Sequence, residues 1–298
     1  MSIPADGRLA RDHEVPQKLY KYRAFSPLTL RWLTAAEVYY SDSRDFNDPL
    51  DCSPTMHIDV GTPTLEKLYY RLLRRTRTDE FSRSTLCEVR YLGTEVGHCD
   101  GDASRQTYHQ ELLKVRIEAL VKDELSSRGV LCFSTNWCSP LMWSHYADQH
   151  RGICIEYDTT DISYPNIGPI RYGERRSIKA SDVVRWKLEN SSDAEKKITD
   201  AYFFSKYAEW KYENEWREIG NSVGSTSSRF RISSIFFGYR CDEAVITAIV
   251  KLFQDHAMDF FEVRPNDNGF PLSKFPCDVD EIRACGISFP AVLEFEAI

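Results

Sequence analysis

The stretch VLCFSTNWCSPLMWSHYADQHRGICIEYD, residues 130–158, decides the fold class. Its two ends, VLCFST at 130–135 and GICIEYD at 152–158, have the short apolar runs that are typical of strands. Between them, Ser139 followed by Pro140 predicts the cap and first turn of a short helix. The segment therefore indicates strand, short helix and strand in close succession.

The same order occurs near the start of the chain. KLYKYRAF at 18–25 alternates apolar and basic residues, which predicts a strand with one buried face. SPLTLRWLTAAEVYYS at 26–41 predicts a short helix that leads into a second strand, and RDFNDPLDC at 44–52 predicts turns. Several strand pairs are too close in sequence for helical crossovers, so we expect an α+β fold with a mixed, partly antiparallel sheet.

Helical patterns occupy two other parts of the chain. Residues 64–128 place apolar side chains three and four positions apart, which predicts a helical insertion between strands. No linker rich in Pro, Gly or Ser bounds this insertion, so we expect a single domain over residues 1–298. A further helix is predicted over 193–210.

Composition limits the function classes. The 298 residues are 42% hydrophobic and 28% charged, with a net charge of -7, which is typical of a globular protein without a general attraction to nucleic acid. No apolar stretch approaches the roughly 20 residues needed to cross a bilayer, and the N-terminus lacks the layout of a secretory signal. Nine cysteines without a CxxC pair favour a reducing compartment, so we expect a cytoplasmic protein.

KYAEWKYENEWREIG, residues 206–220, combines aromatic and charged side chains in an unusual way. Read as a strand, YENEWREI places Glu213, Glu215 and Arg217 on one face and Trp216 on the other, as a buried anchor. Read as a helix, it aligns Glu213 and Arg217 as an exposed ion pair of about 0.3–0.5 kcal/mol. Because Asn214 and the aromatic residues disfavour a helix, we expect the strand, with Glu215 facing a cleft.

Several motifs together resemble a bacterial family catalogued as a domain of unknown function, number 2971. They run in order along the chain: LYKYRAF, TLRWL, YYSDSRDFNDPLDC, PLMWSHYADQHRGICIEYD, YENEWR and IFFGYR. The resemblance extends from Lys18 to the C-terminal region. It implies no activity by itself.

The layout of these motifs also resembles the ADP-ribosyltransferases, especially their nucleic-acid-modifying toxin branch. The resemblance implies the ADP-ribosyltransferase fold and NAD as the substrate. It assigns Glu215 as the catalytic carboxylate and Lys21 to a position where histidine is common, and it matches Phe46 and Asn47 to a cofactor-binding FN turn. Trp216 and Arg217 replace the aliphatic residues that usually follow the glutamate.

Further residues complete the expected cofactor cleft. Tyr20, Tyr22, Tyr40 or Trp143 would stack on the cationic nicotinamide ring, and Arg23 or Arg217 would bind the phosphates. His145 lies beside Trp143 and is grouped with this cleft, although a histidine satisfied by its neighbours at the edge of a core is the alternative.

The acceptor implied by the toxin branch is nucleic acid, in a toxin or phage-defence role with a possible antitoxin partner. Four arginines in YRLLRRTR at 70–77 form a candidate nucleic-acid surface, namely Arg71, Arg74, Arg75 and Arg77. An ordinary solvated helix face is the alternative interpretation of this cluster.

Other function classes remain open at the level of sequence. A metal-dependent nuclease would draw oxygen ligands from Asp45, Asp48, Asp51, Glu156, Glu213 and Glu215, although turn formation also explains the aspartates. A zinc site would use Cys132, Cys138, His145 and His150, whose spacing is looser than in zinc fingers. A non-catalytic protein that binds a nucleotide or peptide is the third possibility.

Overall fold

The structure is a computed structural model that describes residues 14–93, 102–160, 166–173, 176–266 and 269–285. Helices and strands are interleaved within these ranges. Parallel and antiparallel strand pairs both occur, which confirms the predicted α+β class with a mixed, partly antiparallel sheet. In the ranges described, no helix has the length and apolar character needed to cross a membrane.

The elements are numbered in chain order. The helices are α1 (Pro27–Thr34), α2 (Thr62–Leu73), α3 (Asp79–Tyr91), α4 (Asp102–Ser126), α5 (Pro140–Tyr146), α6 (Ala180–Glu189), α7 (Ser192–Phe203), α8 (Glu243–Leu252) and α9 (Val279–Ala284). The strands are β1 (Lys18–Arg23), β2 (Glu37–Tyr40), β3 (Thr55–His57), β4 (Val130–Ser134), β5 (Ile153–Asp158), β6 (Ile167–Pro169), β7 (Arg171–Tyr172), β8 (Ser177–Lys179), β9 (Ser205–Lys206), β10 (Glu215–Ile219), β11 (Gly224–Ser227), β12 (Arg231–Phe237), β13 (Asp259–Asn266) and β14 (Gly269–Pro276).

The chain forms two compact units. Unit 1 is built mainly from Glu37–Phe133 and Ile162–Ser227, and unit 2 from Pro16–Ala36, Ser134–Asp161 and the residues from Ser228 onward. The single domain expected over 1–298 stays a prediction.

Unit 1 buries its apolar side chains between helices and short strand pairs. Helices α2, α3 and α4 lie within the predicted helical segment 64–128, apart from the first two residues of α2. Among their core residues are Leu65 on α2, Val89 on α3 and Leu113 on α4. The short strands pair as β3 with β8 and β7 with β9, both parallel, and as β10 with β6 and β2 with β11, both antiparallel. These pairs carry the polar residues discussed below.

Unit 2 is organised around a five-stranded run in the order β14-β13-β12-β5-β1. The pair β12 and β13 is parallel and the other pairs are antiparallel. The predicted short helix of the opening stretch is α5, where the Ser139 hydroxyl accepts from the Met142 backbone N–H and Pro140 starts the helix. The capping of α5 thus follows the sequence pattern in this unit.

Two boundaries around residue 210 differ from the prediction. The helix expected over 193–210 ends at Phe203, because residues 205–206 leave the helix to pair with β7. A 3-10 helix follows at Ala208–Glu213. The strand then begins at Glu215, since Asn214 adopts a left-handed conformation with a φ of 44° that interrupts an extended chain.

The faces of β10 also differ from the prediction in part. Glu215 and Arg217 share one face as expected, but this face is buried and not the side of an open cleft, and Glu213 belongs to the 3-10 helix. On the other face Trp216 is only half-buried, and the fully buried residue is Glu218, whose carboxylate accepts from the Tyr40 hydroxyl at 2.8 Å. The expected role of Trp216 as a buried anchor is therefore wrong.

Candidate functional site

The buried face of β10 presents a carboxylate beside a guanidinium. Glu215 opens the strand and Arg217 follows two positions later, so the alternation of side chains brings them together. Arg217 Nε donates to Glu215 Oε1 at 2.6 Å, and Nη2 donates to Oε2 at 3.1 Å. Arg217 is 0% exposed, so this contact is a desolvated ion pair.

Strand β9 and the turn after β2 bring the other partners. Lys206 Nζ donates to Glu213 Oε2 at 2.5 Å and to Glu215 Oε2 at 3.0 Å. Asp51 accepts two bonds from Arg217, at 2.9 Å to Oδ1 and 2.5 Å to Oδ2. We call Asp51, Lys206, Glu213, Glu215 and Arg217 the charge cluster. All five are at least 95% buried, and three carboxylates face two cations.

The electrostatics of the charge cluster keep its central groups ionised. Burial alone would raise the pKa of Glu215, but the nearby Arg217 and Lys206 outweigh burial and hold this pKa well below its usual range. Burial alone would lower the pKa of Lys206, and its attraction to the carboxylates, led by Glu215, raises it instead. Glu215 and Lys206 are therefore charged at neutral pH despite the burial.

Half-buried aromatic residues adjoin the charge cluster. The Phe46 ring centre lies 5.2 Å from Arg217 Cζ, and the Trp210 ring centre lies 4.9 Å from Lys206 Nζ. The backbone N–H of Glu215 donates to the Tyr172 hydroxyl at 2.8 Å. Buried charge and flat apolar surface therefore occur side by side, and among the predicted site residues Phe46, Glu215 and Arg217 are brought together.

The predicted aromatic residues of unit 2 lie in its core. Tyr22 packs edge-to-face on Trp143 at 5.2 Å between ring centres, and its hydroxyl donates to the Asn136 carbonyl at 2.7 Å. Trp143 is 0% exposed. Tyr20 is also buried, and its hydroxyl bonds to Glu156. Protein atoms cover these rings, so the packing gives no support to their predicted stacking on nicotinamide.

The remaining predicted cleft residues are more accessible. Arg23 places its guanidinium 4.2 Å from the centre of the Trp32 ring, and Lys21 is half-buried on β1 opposite Ile155. Asn47 and His145 are exposed, and the His145 ring centre lies 6.3 Å from that of Tyr146. Their roles toward NAD stay predictions.

The arginine cluster at the end of α2 is exposed but largely engaged. Arg75 pairs with Glu124 at 2.7 Å and Arg74 with Asp79 at 3.5 Å. Arg77 lies over the Phe81 ring at 5.5 Å. Arg71 is also exposed. The acidic neighbours reduce the positive field of this surface, and its role in nucleic-acid binding stays a prediction.

The carboxylates considered for a metal-dependent nuclease have other partners. Asp48 accepts from the Leu50 backbone N–H at 2.9 Å in a turn, and Asp51 belongs to the charge cluster. Glu156 accepts from Lys18 and two serines. Asp45 lies exposed in a 3-10 turn. Within the described part of the chain, no group of three or more His, Cys, Asp or Glu is arranged to hold a metal ion, and this includes the candidate zinc set.

Lys206 is the member of the charge cluster that sequence reasoning missed. It lies in YFFSKYAEW, where its neighbours Phe203 and Phe204 are buried. A lysine so close to a buried apolar run is a signal, since a buried ammonium group requires carboxylate partners.

Comparison with curated proteins and with solved structures gives no match. Residues 142–218 match the model of a family described as a protein of unknown function (DUF2971). The matched segment contains Lys206, Glu213, Glu215 and Arg217, whereas Asp51 lies outside it. The match supports the resemblance to this family of unknown function over residues 142–218.

Proposed function

We propose that this protein is an ADP-ribosyltransferase-like enzyme that cleaves NAD and transfers ADP-ribose to a macromolecule. Glu215 acts as the catalytic carboxylate. The observation that carries the proposal is the charge cluster, in which Glu215 lies with two other carboxylates and two cations. With all five groups ionised, the cluster has one negative charge in excess.

The excess negative charge suits the chemistry of NAD cleavage. The bond between the ribose carbon and the nicotinamide nitrogen breaks, its electron pair leaves with neutral nicotinamide, and positive charge develops on the sugar, as in glycoside hydrolysis. A nucleophile of the acceptor then bonds to this carbon and loses its proton. A carboxylate fixed in a desolvated site stabilises such charge more in the transition state than in the ground state.

The contacts of Glu215 keep its carboxylate fixed. Arg217 and Lys206 hold it from two side chains, which are themselves held by Asp51 and Glu213. This arrangement leaves little reorganisation for the moment of reaction. Because Glu215 is only 5% exposed, binding of NAD requires local opening of the side chains around it.

The adjoining aromatic residues supply a surface for the leaving group. Phe46 belongs to the FN motif that suggests a nicotinamide contact, and Trp210 and Tyr172 lie at the same cluster. A cationic nicotinamide ring gains about 0.5–2 kcal/mol from an aromatic face.

The biological part of the proposal rests on the toxin-branch resemblance. We take the acceptor to be nucleic acid and the role to be that of a cytoplasmic toxin or phage-defence protein, with a possible antitoxin partner. The exposed arginines at residues 71–77 are the proposed contact surface for the acceptor.

A matched pair of variants tests the assignment of Glu215. Glu215→Gln and Glu213→Gln each remove one carboxylate and leave the charge cluster with two negative and two positive charges. If Glu215 is catalytic, Glu215→Gln lowers nicotinamide release from NAD by about 100-fold or more, as expected for loss of a preorganised charge. Glu213→Gln lowers the release much less, because it removes the same charge but leaves the Glu215 carboxylate in place between Arg217 and Lys206.

Nicotinamide is quantified by chromatography, and unfolding by denaturant is measured on the same samples. The sequence alone suggests that Glu215→Gln leaves folding intact. The burial of Glu215 instead predicts a lower free energy of unfolding for both variants, and the comparison between them corrects for this loss. Equal nicotinamide release by wild type and Glu215→Gln would end the assignment.

A further inference from the structure

A second site in unit 1 lies away from β10 in the sequence. A cavity of about 770 Å³ opens beside strands β3 and β8 and helix α4. Its lining includes the basic residues His57, Lys114, Arg176 and Lys179 and the hydroxyl groups of Ser53, Thr55 and Ser177.

The parallel pairing of β3 with β8 builds the floor of this cavity. Thr55 pairs with Ser177 and His57 with Lys179, so these four side chains share one face of the strand pair. The intervening Met56 and Ile178 are 2% and 6% exposed and belong to the core. The buried pair fixes the register, and the register places the basic side chains next to one another.

The charge of the cavity opposes that of the whole protein. Four of its lining residues are basic, and no acidic residue occurs among the described residues that line it. The protein as a whole carries a net charge of -7. A local concentration of positive charge on an acidic protein attracts anions to one place rather than to the surface in general.

Glu118 and Asp59, two carboxylates near the cavity, accept hydrogen bonds from groups other than its basic side chains. Glu118 accepts from the Met56 backbone N–H at 2.5 Å, and Asp59 accepts from the backbone and hydroxyl of Ser181 at 2.8 and 2.6 Å. Glu111, in contrast, accepts from the basic lining residue Lys114 at 3.1 Å. Arg176 donates to the Leu50 carbonyl. Its remaining N–H groups and the ammonium groups of Lys114 and Lys179 retain donor capacity for an anionic ligand.

The hydroxyl groups add directional donors. Lys122 Nζ donates to Ser53 Oγ at 3.4 Å, so the Ser53 proton is free to point toward an acceptor. Ser177 lies on the exposed face of β8. Mixed ammonium, guanidinium and hydroxyl donors are the groups that bind phosphate oxygens.

We propose that this cavity binds the phosphate groups of a small nucleotide. Its volume falls within the range of about 300–1,000 Å³ for small-molecule sites, and it exceeds what a single phosphate ion fills. The proposal is independent of NAD cleavage, because it rests on residues outside the charge cluster. Binding is measured without turnover, so failure of one proposal does not decide the other.

The test is a calorimetric titration of the full chain with ADP, adenosine and pyrophosphate at low salt. The double variant Lys114→Gln/Lys179→Gln removes two positive charges from the cavity. The matched control, Arg185→Gln/Lys197→Gln, removes two positive charges from exposed positions of α6 and α7 in the same unit. A fluorescent single-stranded oligonucleotide, with ADP as competitor, forms a further arm of the experiment.

We expect saturable binding of ADP and of pyrophosphate, and adenosine binding weaker than ADP binding by about tenfold or more, because the phosphates supply the charge-assisted bonds. The cavity variant weakens ADP binding by about tenfold or more, and the control variant changes it less than about twofold. If the double variant does not fold, Lys179→Gln alone is used, since this side chain is exposed.

Four results would overturn the proposal. They are the absence of saturable ADP binding, equal affinities for ADP and adenosine, equal losses in the cavity and control variants, and oligonucleotide binding that the cavity variant loses but ADP does not displace.

Discussion

Glu215 in unit 1 and Glu156 in unit 2 are two buried strand carboxylates with different surroundings. Glu215 is bonded to the buried cations Arg217 and Lys206. Glu156 is 1% exposed and receives one lysine, Lys18, whose own side chain is 57% exposed. Buried cations therefore balance the charge of Glu215, whereas the cation that balances Glu156 is exposed to water.

Hydroxyl groups provide the remaining stabilisation of Glu156. Its strand neighbours in register are Tyr20 on β1 and Ser234 on β12. The pairing of β12 with β5 shifts between Ile232 and Ser234, and both Ser233 and Ser234 donate to Glu156 Oε1, at 2.8 and 3.2 Å. A bulge that turns two consecutive side chains toward one carboxylate replaces the second cation of the charge cluster.

The two carboxylates depend on their partners to different extents. Removing one of the hydroxyl groups that donate to Glu156 leaves its other donors in place. Removing one cation from the charge cluster leaves an uncompensated charge without access to water, which costs far more than a lost hydrogen bond. The charge cluster should therefore lose more stability than the surroundings of Glu156 when one partner is removed.

The largest expected effect is that of Arg217→Met. This variant leaves three buried carboxylates with Lys206 alone, and we expect the free energy of unfolding to fall by about 3–5 kcal/mol. Denaturant unfolding monitored by circular dichroism measures the change. The matched control is Arg231→Met, which breaks the exposed ion pair with Asp158 and should cost less than about 1 kcal/mol. Similar losses in the two variants would show that Arg217 is not part of a desolvated cluster.

An intermediate effect is expected for Glu156→Gln. The amide keeps an oxygen acceptor for the serines but loses the charge, so we expect a loss of about 1–2 kcal/mol at pH 7. Burial alone would raise the pKa of Glu156, yet the bonds from Lys18, Ser233 and Tyr20 hold it below its ordinary value of 4.5. The ionised form therefore contributes stability above about pH 4.5, and this contribution is lost as pH falls through the lowered pKa.

Urea unfolding of wild type and Glu156→Gln between pH 7 and pH 3 checks this expectation. The difference in free energy of unfolding should be nearly constant above about pH 5 and should shrink below about pH 4.5. The corresponding difference for Glu215→Gln should persist to lower pH, because two buried cations hold the pKa of Glu215 well below its usual range. A difference for Glu156→Gln that grows on acidification would contradict the account of its surroundings.

Local patterns predict much of both regions. Alternation predicts that Glu215 and Arg217 share a face, and the Ser139–Pro140 pair predicts the start of α5. The helical segment 64–128 follows from apolar spacing. Each of these inferences needs only residues close to one another in the sequence.

The partners that join distant segments could not be predicted. Asp51 accepts from Arg217 although the two residues are 166 positions apart in the sequence. His57 pairs with Lys179 although more than a hundred positions separate them. The end of α7 at Phe203 depends on the pairing of residues 205–206 with β7. Tertiary pairing overrode helical periodicity there, and periodicity contains no information about which distant strand is adjacent.

The smallest expected effect is that of Lys18→Gln, which removes the counter-ion of Glu156 and leaves its hydroxyl donors in place. The Lys18 side chain is 57% exposed, so water and salt already screen the pair, and we expect a loss below about 1 kcal/mol. The loss should decrease further between 0.05 and 0.5 M NaCl, as measured by urea unfolding at roughly these two ionic strengths. The cost of Arg217→Met should change little over the same range, because salt does not reach a fully buried guanidinium. A salt-insensitive loss for Lys18→Gln would mean that the carboxylate depends on its lysine as strongly as Glu215 depends on its buried cations.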